Sequence, residues 1–110
     1  MTPKAALSLS YNNPQEFNIR KYYYERIISK DSYYSFQYSM YKLRDRFELG
    51  EPTIAKNNWS SLNYSTNVLR DRFELGENII STSLRSVRIY YEEIVKEIST
   101  DKPSFYYKFI

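Results

Sequence analysis

Tyr33, Phe36, Met40, Leu43 and Phe47 fall at alternating steps of three and four, between mostly polar neighbours. That spacing predicts one apolar stripe along an amphipathic α-helix. Gly50 and Pro52 follow the stripe, so the helix is expected to close on a left-handed glycine cap and to be barred from continuing by proline. Trp59, Leu62, Thr66, Leu69 and Phe73 repeat the register and lead to Gly76. Upstream, Asn13-Pro14-Gln15-Glu16 reads as a helix start, with Asn13 as cap, Pro14 in the first turn and Glu16 at the third position. Phe17, Tyr24, Ile27 and Ile28 then share a face. Downstream, Ile80, Leu84, Val87, Tyr91, Ile94 or Val95, and Ile98 form a long stripe, capped by Ser81 or Thr82 and closed by Pro103. Residues 104–110 make a short apolar tail of high strand propensity. The expected fold is all-α, a small bundle of about four helices with an extended arm at each end. The expected division is an N-terminal arm over 1–13, a helical domain over 14–98 and a C-terminal tail over 99–110.

A repeat lies inside that domain. Residues 43–51, Leu-Arg-Asp-Arg-Phe-Glu-Leu-Gly-Glu, recur unchanged as 69–77, offset by 26. Tyr38/Tyr64, Ser39/Ser65 and Ile54/Ile80 extend the match to 38–54 and 64–80. Nine identical residues in a row mark a duplicated segment, the same helix end used twice. Two copies fall short of the three or more units that a solenoid needs. Arg44 and Glu48, like Arg70 and Glu74, stand four apart and can pair on a solvated face, worth about 0.2–0.5 kcal/mol. The other reading of these segments is a pair of equivalent docking faces built from Arg44/Arg46 and Arg70/Arg72.

Composition removes much of enzymology. The 110 residues suit one domain, and they include neither His nor Cys. Disulfides, Cys or His metal sites and Ser-His-Asp catalysis are therefore unavailable. Two glycines cannot build a glycine-rich phosphate loop. The carboxylates stand beside Arg or Lys, and Glu92-Glu93 reads as the polar face of the last helix. No isolated pair suggests acid–base work. A non-enzymatic protein with no covalently bound cofactor is expected. No run of about 18 apolar residues exists, so the chain is not expected to span a membrane, and its start at Met1 argues against a cleaved transit peptide.

Charge and aromatic residues then point to a partner. The net charge of +3 resides in residues 1–30, and residues 31–110 balance. A basic head on a neutral body suggests an acidic counterpart. Tyr22, Tyr23 and Tyr24 adjoin Arg20, Lys21 and Arg26. Consecutive residues point about 100° apart around a helix, so one core cannot take all three rings. Tyr and Arg also dominate protein–protein hot spots. Tyr106 and Tyr107 repeat the situation on the tail. Cations among rings suit single-stranded RNA as well, but the neutral body and the absence of an RNA-binding motif favour an acidic protein partner. Asn, Lys, Ile, Tyr and Phe together supply 45 of the 110 residues. An A/T-rich genome would inflate Tyr in the same way without any selection for binding.

The head over 7–20, with Leu7, Leu9, Tyr11, Pro14, Asn18 and Arg20, resembles the opening of phycobilisome rod–core linker polypeptides. Residues 76–87, Gly-Glu, then aliphatic residues, then Leu84-Arg85-Ser86-Val87, look like a second segment of that family, sharpest at Arg85. The resemblance covers about a quarter of the chain. It implies a non-enzymatic linker threaded among acidic bilin-bearing proteins, touching their bilins without carrying one. Tyr11, Asn18, Arg20 and Arg85 are its matching partner contacts. It further implies a plastid protein on the stromal side of the thylakoid, or alternatively one at a cyanobacterial thylakoid surface. RNA association, as in a small organellar ribosomal subunit, is the competing expectation.

Overall fold

The structure, a computed structural model, describes residues 1–96. These residues are helical, with no strand among them. The eight α-helices are α1 (Pro3–Asn12), α2 (Pro14–Ile19), α3 (Lys21–Ile28), α4 (Ser32–Gln37), α5 (Glu51–Ile54), α6 (Asn58–Asn63), α7 (Glu77–Ile80) and α8 (Leu84–Tyr90). Wide π-type turns prolong α4, α6 and α8 over Tyr38–Leu43, Tyr64–Leu69 and Tyr91–Val95. Tight 3₁₀ turns over Glu48–Gly50 and Glu74–Gly76 lead into α5 and α7.

Side-chain caps start five of these helices, α1, α2, α4, α6 and α8. Thr2, Asn13, Asp31, Asn57 and Ser83 each accept the backbone N–H three residues on. Each such cap is worth about 0.5–2 kcal/mol. Asn13 and Pro14 act as the sequence predicts, with Glu16 donating its N–H to Asn13 Oδ1 at 3.2 Å. The cap of the last long helix is Ser83, not Ser81 or Thr82. Ser81 and Thr82 instead turn their hydroxyls back onto Asn78 and Ile79 carbonyls at the end of α7.

The period of 26 runs further than the identical segment. Asp31, Asn57 and Ser83 are caps at that offset, and Ile28, Ile54 and Ile80 are each fully buried at that offset. Each unit is a long helix followed by a short one. α4 packs on α5 and α6, and α6 packs on α7 and α8. Helix pairs stacked on their nearest neighbours form a solenoid-like array, and the described residues span 50 × 22 × 17 Å. The expected bundle of about four helices is therefore replaced by eight shorter helices in an elongated stack. The core divides accordingly into three clusters around Tyr38, Tyr64 and Tyr90.

Residues 1–13 are not an extended arm. Thr2 caps α1, Pro3 occupies its first turn, and the small Ala6 and Ser10 are completely buried where α1 meets α3 and α4. Without bulky side chains on that face the helix can sit close to its neighbours, so packing overrides the weakly apolar sequence. The tail over 99–110 lies outside the described residues, as does Ile98.

Gly50 and Gly76 are not left-handed caps either, since their φ angles are −91° and −95°. The left-handed residues are Arg44 and Arg70, at φ 54° and 50°. The glycines serve close approach. A Cβ on Gly76 would lie 2.6 Å from the Phe73 ring and 2.7 Å from Ser61 Oγ, and Gly50 has the same surroundings in Phe47 and Ser35. Phe47 and Phe73, expected to end the helical stripes, lie beyond the helices and fold back into the core. Tyr33 and Trp59 are half-exposed. Phe36 is buried as the stripe predicts, and Met40, Leu43, Leu62 and Leu69 pack partly buried against the core. Ser35, Tyr38 and Ser39, and then Ser61, Tyr64 and Ser65, share the inward faces with them. Ser35 Oγ donates to the Ile28 carbonyl and Ser61 Oγ to that of Ile54, which lets the short helix approach the long one.

Candidate docking surface

The polar interior is built from one arrangement repeated. Glu51 Oε2 accepts from Tyr64 Oη at 2.6 Å, and both carboxylate oxygens accept from the Arg46 guanidinium at 3.0 Å. The same phenol accepts the Phe47 N–H at 2.8 Å. Glu77, Tyr90, Arg72 and Phe73 reproduce every bond, with Tyr90 Oη donating at 2.6 Å. Glu25 accepts from Tyr38 at 2.7 Å in the preceding unit. Burial, reinforced by the glutamate hydrogen bond, pushes the Tyr38, Tyr64 and Tyr90 phenols well above their ordinary range. The hydrogen bonds to Glu51 and Glu77 raise the Arg46 and Arg72 guanidinium values further still. Arg46 and Arg72 thus pair with Glu51 and Glu77 across the turn, rather than Arg44 with Glu48 or Arg70 with Glu74 along a helix. The left-handed break at Arg44 and Arg70 ends the helix before position 48 or 74 could stack on it.

These carboxylates act as structural acceptors. Among the described residues no cluster of three His, Cys, Asp or Glu is placed to hold a metal. No described helix is long and apolar enough to cross a membrane.

The predicted partner residues separate into groups. Arg20, the residue between α2 and α3, lies 5.9 Å over the Tyr23 ring, and Arg26 lies 5.9 Å over Tyr22. Tyr22 and Tyr23 are 66% and 54% exposed, beside exposed Lys21, Asn18 and Ile19. Tyr24 parts from them. It is buried, stacks on Phe17 at 5.5 Å and donates to Glu16 at 3.0 Å. Tyr11 is half-exposed on α1, with Lys42 Nζ 5.2 Å over its ring. Arg85 belongs elsewhere, at the start of α8, where it lines a groove with Trp59. Tyr106 and Tyr107 lie outside the described residues.

Sequence reasoning missed that groove because Trp59 counts as apolar in a helical stripe. The signal was present at the 26-residue offset, where Tyr33, Trp59 and Arg85 are equivalent and an arginine marks the position as solvent-facing. Comparison of the chain with protein-family models, curated proteins and solved structures finds no match.

Proposed function

We propose that this protein is a non-catalytic docking module that holds an acidic partner protein on the outward face of α2–α3. One observation carries the reading: Arg20 and Arg26 stack over Tyr23 and Tyr22, leaving two exposed rings flanked by cations that have no acidic neighbour in the α3 sequence except Glu25. Glu25 is already engaged by Tyr38. Exposed tyrosine offers large contact area at small entropic cost, arginine joins it among the residues that dominate hot spots, and partner carboxylates supply the missing charge. The commitment of Glu25, Glu51 and Glu77 to buried phenols supports the non-catalytic part, since acid–base chemistry needs a carboxylate free to exchange protons.

The linker resemblance nominates the partner as an acidic bilin-bearing protein of a phycobilisome, at the stromal thylakoid surface of a plastid or at its cyanobacterial counterpart. Arg85 and Tyr11 would then serve further contacts, and the partner's bilins would lie within reach. The test is native purification of the tagged chain from its source through a salt series. Retention of a visibly coloured, acidic protein at moderate salt is expected. Recovery of RNA, lost with a steep salt slope that reports several phosphates, would contradict the reading and favour the ribosomal alternative.

A further inference from the structure

At the opposite end of the array, α6 and α8 leave a groove of about 510 Å³ between them. Leu62 and Ile89 supply its apolar lining, together with Trp59, which is 51% exposed. Arg85, at the start of α8, and Glu93, eight residues further on in the turn that prolongs it, also line the groove. Both are exposed, and neither has an ion-pair partner among the described residues. The groove wall is held in place from behind. Asn58 donates to the Ile79 carbonyl at 2.7 Å and accepts from Ser86 Oγ, tying α6 to both α7 and α8. A preformed wall reduces the ordering cost of binding.

We propose that this groove takes an extended peptide segment of a partner protein, with an acidic side chain on Arg85, a basic one on Glu93 and an apolar one between them against Leu62, Ile89 and Trp59. The spacing sets the register. Eight helical residues set the backbone positions of Arg85 and Glu93 roughly 12 Å apart along the axis. An extended chain rises about 3.3 Å per residue, so the acidic and basic residues of the ligand stand three or four apart. Nucleic acid fits less well, because a phosphate chain carries one sign and would meet Glu93 unfavourably. The site is independent of the α3 surface and shares no residue with it.

Trp59 is the single tryptophan of the chain, so its emission reports occupancy of this groove directly. The intact protein is titrated with three capped peptides, Asp-Ala-Leu-Ala-Lys, Asp-Ala-Leu-Ala-Asp and Lys-Ala-Leu-Ala-Lys, and with oligouridylate. The mixed-charge peptide is expected to bind about tenfold more tightly than either like-charged one, the ratio of a single satisfied charge contact. Arg85→Glu should turn the preference to the dilysine peptide, and Glu93→Arg to the diacid. Equal response to all three peptides, or response to none, overturns the proposal. So does quenching by oligouridylate alone. If circular dichroism shows that a variant has lost its helices, the ranking on the unmodified chain decides.

Discussion

Tyr64 Oη donates to Glu51 and accepts the Phe47 N–H inside the core. Tyr64→Phe keeps the ring and strands both partners, so it should cost about 1–3 kcal/mol, read from urea denaturation. An unchanged midpoint would mean that water replaces the hydroxyl. The same bonds predict an alkaline limit. The Tyr38, Tyr64 and Tyr90 phenols are raised above the ordinary tyrosine value by burial and by their glutamate partners. In the unfolded chain they ionise near pH 10 (roughly the free phenol value), and in the folded chain only above it. Their contribution is thus fully present below about pH 10 and lost as pH rises through the folded values, because deprotonation then favours the unfolded chain. Phenolate absorbance should accordingly show at least these three tyrosines ionising together with loss of helix. Ionisation of all tyrosines before any unfolding would contradict the buried bonds.

At the scale of the element, what the sequence discloses depends on how local its cause is. Caps such as Asn13 were legible, because a polar side chain bonding three residues on requires nothing distant. The glycines mislead for the opposite reason. Gly50 and Gly76 follow apolar stripes as caps do, yet what they accommodate is Ser35 and Ser61 of the long helices, fifteen residues upstream. Nor does local chemistry announce left-handed turns at Arg44 and Arg70, where two arginines adopt a conformation that costs an L-residue about 1–2 kcal/mol. Gly76→Ala should therefore destabilise by about 1–3 kcal/mol through overpacking, although alanine tolerates the backbone angle. Arg70→Gly should stay within about 1 kcal/mol of the parent, its relief of strain offset by a freer unfolded chain. Thermal unfolding of the two variants checks the contrast, and the reverse order would restore the glycine-cap account. The candidate surface was legible by the same logic. Three adjacent rings cannot share one core, but which of them turns inward, Tyr24, depends on Phe17 across the α2–α3 turn.

For the whole molecule, the difference between a bundle and an array is a difference in how stability is shared. The three clusters around Tyr38, Tyr64 and Tyr90 follow one another along the stack, so damage at one end should remain there. Ile94→Ala, in the last cluster, removes buried volume worth about 2–5 kcal/mol. Hydrogen exchange should then lose protection in α7 and α8 while α1–α3 keep theirs. Uniform loss along the chain would indicate a single cooperative bundle. This level was the least legible, because outside the two identical segments the period survives only in scattered positions such as Glu25, Ile28 and Asp31 before them and Ser83 and Tyr90 after them, and identity alone reveals two copies. Docking also belongs to this scale, since it leaves the array intact and adds a neighbour to its outer face. The most direct test replaces Arg20, Tyr22, Tyr23 and Arg26 together with alanine, leaving buried Tyr24 in place, and follows both thermal unfolding and retention in the native complex. Release from the complex with the melting profile essentially unchanged is the predicted result. Full retention, or collapse of the helical array together with release, would contradict it.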